Sequence, residues 1–321
     1  MLKCVVMSHI MNSQSRVYVA GHTGLVGSAI VRKLREKGYN NLLLVSSSEC
    51  DLRNTESVEN LFSTNQPEYV FLTAARCGGI FDNMNYPVDY LLDNLNIQSN
   101  VISMAHKYGV KKLMFFASSC IYPKNVKMPI KEDDLLRGEL EPTNEAYSIA
   151  KIAGIKLCEA YRKQYKSDFI SINPCNIYGP GDKTDPFKGH VMSCLIYKFW
   201  KAKRENLSIV ECFGDGSPKR EFLYADDLAD ASVYLMNKDT SETDTLINVG
   251  TGTENSIKEI AKIISDVVEY DGDIHWDTSK PNGSLRKILD VSKVNALGWE
   301  AKTSLIEGIK NVISDLNKRY G

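Results

Sequence analysis

The segment Gly21-His-Thr-Gly24-Leu-Val-Gly27 constrains this chain more than any other. It follows a short apolar run, Arg16–Ala20, and opens a stretch with helical spacing at Ile30, Val31 and Leu34. One glycine permits a tight turn, one lets the backbone approach an anion, and one lets helix and strand pack closely. The helix start then offers free N–H groups and partial positive charge to a diphosphate. A dinucleotide loop is therefore expected at Gly21–Gly27, in an α/β fold.

The rest of the first half agrees with that expectation. Strand-like runs at Leu42–Val45, Tyr69–Leu72, Leu113–Ala117 and Phe169–Ile172 alternate with helical patterns at Asn54–Thr64, Val88–Tyr108 and Ala146–Tyr165. Short apolar runs between amphipathic helices indicate a parallel sheet covered on both faces, and right-handed crossovers make it doubly wound, a Rossmann arrangement. After Pro174 the pattern loosens. Val191–Lys203 and Ala225–Met236 read as helices, Ser208–Phe213 as a strand, and Leu246–Val249 as a strand that could rejoin the main sheet. A helix near Ser304–Leu316 closes a smaller C-terminal part. With 321 residues the chain suits two domains. We expect a disordered leader over 1–15, a dinucleotide-binding domain over 16–174 that regains part of 220–250, and a mainly substrate-binding domain over 175–321.

Composition narrows the function. A net charge of -1 gives no general attraction to nucleic acid, and no run of about 18 apolar residues suggests a membrane span. None of the eight cysteines forms a C-x-x-C pair, so no metal site is expected. Unpaired cysteines suit a reducing compartment, which points to the cytoplasm. The second strand runs into Ser46-Ser47-Ser48 with no acid at its immediate end, although Glu49 and Asp51 follow. Hydroxyls there accommodate a 2′-phosphate that a carboxylate would repel, so the choice leans to NADP.

Tyr147 and Lys151 stand one helical turn apart on one face. Lysine charge beside a phenol favours the phenolate, so a lowered Tyr147 pKa is expected. The same spacing recurs at Tyr108–Lys112, Tyr197–Lys201 and Tyr234–Lys238. Only Tyr147 begins a helix lying between the fourth and fifth strands, near the carboxyl edge where such sheets bind ligands. Ser118, at the end of the fourth strand, could hydrogen-bond the same carbonyl oxygen.

Together these residues resemble the extended short-chain dehydrogenase/reductase family. The strings Ala117–Pro123 (ASSCIYP), Leu140–Ile155 (LEPTNEAYSIAKIAGI), Asn176–Pro180 (NIYGP), Arg220–Asp227 (REFLYADD) and Ser279–Lys287 (SKPNGSLRK) are similar to the GDP-L-fucose synthase subfamily, epimerase/reductases of a GDP-4-keto-6-deoxymannose. The resemblance implies Tyr147, Lys151 and Ser118 for 4-keto reduction. It implies Cys120 as base and His190 as acid for epimerisation at C3 and C5. Ordinary Cys and His pKa values of about 8.5 and 6.5 bracket neutrality, which suits that pair. NADP would be held by Gly21, Thr23, Gly24, Leu25, Val26, Gly27, Ser47, Ser48, Asp51, Leu52, Ala117, Ser118, Lys151, Pro174, Asn176, Ile177 and His190. Lys198, Phe213, Arg220 and Asn282 would hold the GDP-sugar, and a homodimer through helices Val88–Tyr108 and Ala146–Tyr165 is implied by analogy. The chain departs from the subfamily at Phe213 (commonly Trp), Asn282 (commonly Asp), Cys175 (usually Thr), Thr23 and Ser47 (Arg in or near these positions), and in the loop Gly181–Gly189. A related GDP-deoxyheptose reductase, a nucleotide-sugar 4-epimerase, a 4,6-dehydratase or a non-catalytic sensor are the other readings. The dehydratase is disfavoured because no Asp-Glu pair follows Ser118.

Overall fold

The computed structural model describes residues 10–184, 189–239, 245–280, 282 and 285–321. In chain order the first elements are β1 (Val17–Ala20), α1 (Leu25–Glu36), β2 (Leu42–Leu43), α2 (Thr55–Asn65), β3 (Tyr69–Leu72), α3 (Ile80–Asn85), α4 (Pro87–Lys107), β4 (Lys112–Phe116), α5 (Glu145–Tyr165) and β5 (Asp168–Pro174). There follow β6 (Asn176–Tyr178), α6 (Val191–Arg204), β7 (Ile209–Phe213), β8 (Lys219–Arg220), β9 (Phe222–Tyr224), α7 (Ala225–Met236) and β10 (Leu246–Val249). The chain ends with β11 (Asn255–Ser256), α8 (Ile257–Val268), β12 (Asp273–Asp277), β13 (Arg286–Lys287), α9 (Ser292–Ala296) and α10 (Leu305–Tyr320).

Six strands form one parallel sheet in the order β10-β5-β4-β3-β1-β2. The β1, β3 and β4 strands are buried along their whole length, as their unbroken apolar runs require when helices cover both faces. Helix α1 packs on α7, while α4 packs on both α2 and α5. Leu246–Val249 does rejoin the main sheet, pairing with Ser171–Pro174. The order reverses between β1 and β3, so a crevice opens at their carboxyl ends.

Two hydrophobic cores result. The larger lies around the six-stranded sheet and includes Leu223, Leu228, Leu235, Ile247, Val294 and Trp299 from later segments. The smaller is built by α6, α8 and α10 through Ile196, Phe199, Ile260, Ile264, Ile309 and Leu316. Part of the expected leader is ordered. Met11 is buried in the larger core with its N–H on Asn237 Oδ1 at 2.9 Å, and Ser15 is buried too. An apolar Met11 side chain finds the core once its backbone is tied down, so the disorder expected over 1–15 is corrected for these residues. Residues 1–9 lie outside those described. Among the described residues no helix is long and apolar enough to cross a membrane.

The loop after β1 is glycine-built for steric reasons. Gly21 has φ +85°, and a Cβ on it would lie 2.8 Å from the Ala74 backbone. A Cβ on Gly27 would lie 2.1 Å from the Gly21 carbonyl oxygen. That neighbour is backbone and cannot swing aside. We predict that Gly27→Ala destabilises the protein by about 1–3 kcal/mol or more. A lowered urea midpoint checks this; an unchanged midpoint contradicts it.

Candidate active site

The carboxyl ends of β3 and β4 and the first turn of α5 meet at one point. Ser118, extended and half-buried, leaves β4 and caps a short 3₁₀ turn, Ser119–Ile121, which turns Cys120 inward. Cys120, Tyr147 and Tyr90 form a small buried cluster separate from both cores. The Tyr90 ring meets Tyr147 edge-on at 6.2 Å. One turn along α5, the buried Lys151 ammonium donates to the Phe116 carbonyl at 2.8 Å and lies 5.8 Å from the Tyr147 ring centroid. The Tyr147–Lys151 pair is thus locked between helix and sheet.

A thiol without any local motif joins this cluster. Cys77, in the segment after β3, interacts electrostatically with His190, Lys151 and Tyr147. His190 also faces Asp182, with Nδ1 3.6 Å from Oδ1, and keeps about half of its side-chain surface open (49%). Asp182 is buried and fixed: it accepts the Ser193 hydroxyl and the Lys183 N–H. These contacts set the proton affinities. Hydrogen bonding to Asp182, then to Cys77, raises His190 to about 10 against the opposing effect of burial. Burial pushes the Cys77 thiol up, but the hydrogen bond and charge of His190, with Lys151 and Tyr147, outweigh it and bring the thiol below its ordinary value. Burial lowers Lys151 to about 8, opposed by the neighbouring thiols.

Tyr147 corrects an expectation. Burial first, and then Cys77 and Cys120, push its phenol well above the ordinary value rather than below it. Lysine attraction loses to desolvation because the phenolate would sit in an apolar cluster beside two sulfurs. A phenol so held is a proton donor, not a base.

The residues expected to hold a dinucleotide follow the carboxyl ends of β1, β2, β4 and β5. Gly24 caps α1 without any side-chain bond, which leaves the N–H groups of Leu25, Val26 and Gly27 for an anion. With Thr23 in the same turn and no Cβ on three residues, the cradle fits a diphosphate. At the ribose end, Ser46 donates its N–H and hydroxyl to Glu49, and Ser48 shares the Ser46 hydroxyl at 2.8 Å. His22 presents a buried, unpartnered Nδ1. Asp51 is committed to Arg53, whose guanidinium and N–H hold its carboxyl below the usual range, so what it and Leu52 can offer is backbone. Ala117, Pro174, Asn176 and Ile177 lie at the ends of β4 and β5, where Asn176 donates to the Glu221 carbonyl at 2.9 Å.

The smaller core presents the groups expected to meet a nucleotide. Lys198 lies 4.6 Å over the Phe213 ring and donates to the Glu211 carbonyl at 2.9 Å. Asn282 accepts the Asp215 N–H at 2.9 Å. Arg220 is register-paired with Lys287 across β8 and β13. Buried Glu221 fixes this strand pair by accepting N–H groups from Thr251 (2.7 Å), Gly252 (2.8 Å) and Leu289 (2.9 Å). Burial lowers Lys287, which feels the Cys120 sulfur and the Arg220 charge. Lys287 therefore bridges the thiol cluster and the cationic strand pair, and the string Ser279–Lys287 was its only signal in sequence. The loop residues 185–188 and positions 281, 283 and 284 lie outside those described.

Comparison with known proteins agrees with this geometry. Residues 17–250 match the NAD dependent epimerase/dehydratase family. GDP-L-fucose synthase 1 of Arabidopsis thaliana is 48% identical over 94% of this chain and 93% of its own. A GDP-6-OMe-4-keto-L-xylo-heptose reductase from C. jejuni superposes with TM-score 0.89 at 37% identity, covering 97% of this chain and 99% of that one. A GDP-L-fucose synthetase from Naegleria fowleri, solved bound to NADP, does so with TM-score 0.89 at 29% identity, covering 97% and 95%.

The Asp182–His190 contact makes a pH prediction. Because the folded pKa of His190 is raised to about 10 from 6.5, the pair's stabilisation is whole below pH 6.5 and is lost as pH rises through about 10. Asp182→Asn should pull His190 back toward its ordinary value. The alkaline limb of stability, followed by thermal unfolding at stepped pH, should then flatten; an unaltered limb would show that Asp182 does not hold the proton.

Proposed function

Because the chain belongs to the NAD dependent epimerase/dehydratase family, among relatives that are GDP-L-fucose synthases, we propose that it converts GDP-4-keto-6-deoxy-D-mannose to GDP-L-fucose by epimerisation at C3 and C5 and reduction at C4, with NADP(H) as cofactor. The observation that carries this reading is the placing of Cys120 against the enclosed phenol of Tyr147, with a protonated His190 one thiol away.

A hydrogen beside the 4-ketone is acidic because the enolate charge comes to rest on the ketone oxygen. Cys120 takes that proton while Tyr147 hydrogen-bonds the oxygen. His190, its proton held by Asp182, returns one on the opposite face. Repetition at the second flanking carbon completes the inversions. NADPH, when bound, supplies the hydride that C4 receives. Tyr147 donates its phenolic proton to the same oxygen, Ser118 holds that oxygen by hydrogen bond, and the Lys151 charge stabilises the phenolate left behind. Gly21, Thr23, Gly24, Leu25, Val26 and Gly27 would hold the cofactor diphosphate, Ser47 and Ser48 its ribose phosphate, and Asp51, Leu52, Ala117, Pro174, Asn176 and Ile177 the walls around it. Arg220 and Lys287 would meet the sugar diphosphate, and Lys198, Phe213 and Asn282 the guanosine.

The unit around the smaller core would serve as the substrate-binding domain. The exposed Phe81, Met84, Val88, Leu92 and Ile149 on α3, α4 and α5 support a homodimer through that face. The described cysteines are not joined in disulfides, which supports a cytoplasmic setting. Likeness to the C. jejuni heptose reductase favours a second reading, reduction of a related GDP-heptose without inversion. Two variants separate the steps. Tyr147→Phe should lower NADPH-coupled reduction about 10²–10⁴-fold while solvent exchange of the substrate's ring hydrogens continues. Cys120→Ala should abolish that exchange, followed by mass spectrometry in heavy water, while NADPH binding persists. Reduction by Tyr147→Phe at the wild-type rate, or undiminished exchange by Cys120→Ala, overturns the assignment.

A further inference from the structure

Helix α4 buries polar groups along a stripe that an ordinary helix would fill with apolar ones. Tyr90, Asn94, Gln98 and Ile102 stand four residues apart, so they share one face, and all four are buried. Only Ile102 is wholly apolar. Asn94 and Gln98 are each 2% exposed. Burying a side-chain amide costs free energy unless hydrogen bonds replace its water. Two successive turns of buried amide therefore mark partners that the fold must hold, and both partners belong to the candidate active site.

Asn94 grips the segment that follows β3. Its Oδ1 accepts the Arg76 N–H at 3.0 Å, and its Nδ2 donates to the Arg76 carbonyl at 3.0 Å and to the Tyr90 carbonyl at 2.7 Å. The Arg76 side chain adds anchors on the same helix, Asp93 at 3.0 Å and Asp89 at 3.1 Å. The start of this segment lies against the glycine loop. The Thr73 hydroxyl donates to the Ala20 carbonyl at 2.7 Å, and a Cβ on Gly21 would lie 2.8 Å from the Ala74 backbone. Asn94 thus fixes one end of a short stretch whose other end walls the dinucleotide loop.

Gln98 grips α5. Its Nε2 donates to the Ala150 carbonyl at 2.6 Å, beside Lys151 and within one turn of Tyr147. The two helices can meet this closely because residue 154 is glycine. A Cβ there would lie 2.4 Å from Phe115 Cζ and 2.9 Å from Gln98 Oε1. The Lys151 ammonium lies 4.8 Å from the centroid of that same Phe115 ring. The Gln98 amide from α4 and the Phe115 ring from β4 therefore hold the turn that carries Tyr147 and Lys151.

We propose that Asn94 and Gln98 are positioning residues with separate tasks: Asn94 sets the segment after β3 for cofactor binding, and Gln98 sets Tyr147 and Lys151 for proton delivery to the reduced oxygen. This rests on the NADPH-dependent reductase reading given above. Each amide acts through the backbone group it holds. A donor displaced by a fraction of an ångström loses rate far more than it loses binding.

The test asks whether the two amides fail in different ways, since two merely structural residues would fail alike. NADPH affinity is read by fluorescence titration, which also counts the binding sites. Hydride transfer is read per site as the first turnover of GDP-4-keto-6-deoxymannose at saturating NADPH in a stopped-flow instrument. Gln98→Met keeps the side-chain length and removes the donor; it should slow that turnover about tenfold or more while the NADPH dissociation constant stays within about twofold. Asn94→Ser should weaken NADPH about fivefold or more while the first turnover at saturation stays within about twofold. Gln98→Leu and Asn94→Ala stand in if thermal unfolding shows that either first variant does not fold. Loss of folding in both variants of one residue makes that amide a structural support and overturns its task. Both residues altering the same quantity, or either leaving its own unchanged, also overturns the proposal. No NADPH oxidation by wild type would instead sink the reductase reading, and the titration of Asn94→Ser would still decide the cofactor half.

Discussion

The site depends on the desolvation of one phenol. Tyr147 sits on the first turn of a helix whose next turn carries a buried Lys151, and both are pressed against the end of β4. Burial acts oppositely on the two groups. It discourages the phenolate and it discourages the ammonium, so the pair keeps Tyr147 protonated while Lys151 falls to about 8. The result is an acid that gives up its proton only when a more basic oxygen forms beside it. An exposed pair at the same spacing would be two solvated side chains with ordinary affinities.

Everything else in the fold serves to bring partners to that phenol. The strand order reverses beside β1, which places the glycine loop and the Cys77 segment at the carboxyl ends of neighbouring strands. The 3₁₀ turn after β4 supplies Cys120. The segment entering α6 supplies His190 as the helix cap, and so couples the smaller core to the larger. Buried Glu221 fixes the strands that bear Arg220 and Lys287. Lys287 thereby stands close enough to Cys120 and Arg220 to feel their charges, while the glycine loop keeps its free N–H groups at the start of α1.

Much of this was legible in the residues. The glycine spacing pointed to a tight turn and close packing in this loop, and Gly21 at φ +85° and Gly27, whose Cβ would lie 2.1 Å from the Gly21 carbonyl oxygen, occupy such positions. The alternation of apolar runs gave the parallel sheet, including the return of Leu246–Val249, because strands buried on both faces cannot hide their composition. The rest was not legible for definite reasons. Cys77 lies in a loop between Arg76 and Gly78 with no periodicity to mark it, and only the fold carries it to Tyr147. The sign of the Tyr147 shift depends on how completely the phenol is enclosed, a tertiary quantity that spacing does not contain. Met11 is held through Asn237, which is 226 residues away in sequence. Lys287 appeared inside a recognisable string, but its nearness to Cys120 comes from the β8–β13 pairing.

The central claim is that thiol, imidazole and enclosed phenol act on a single sugar ring. It is tested most directly by running the complete reaction in heavy water with NADPH and locating deuterium in the product by NMR. The account predicts deuterium at C3 and C5, hydrogen from NADPH at C4, and the L-configured sugar. A product reduced at C4 that carries no deuterium at either flanking carbon would contradict it and leave a ketone reductase alone.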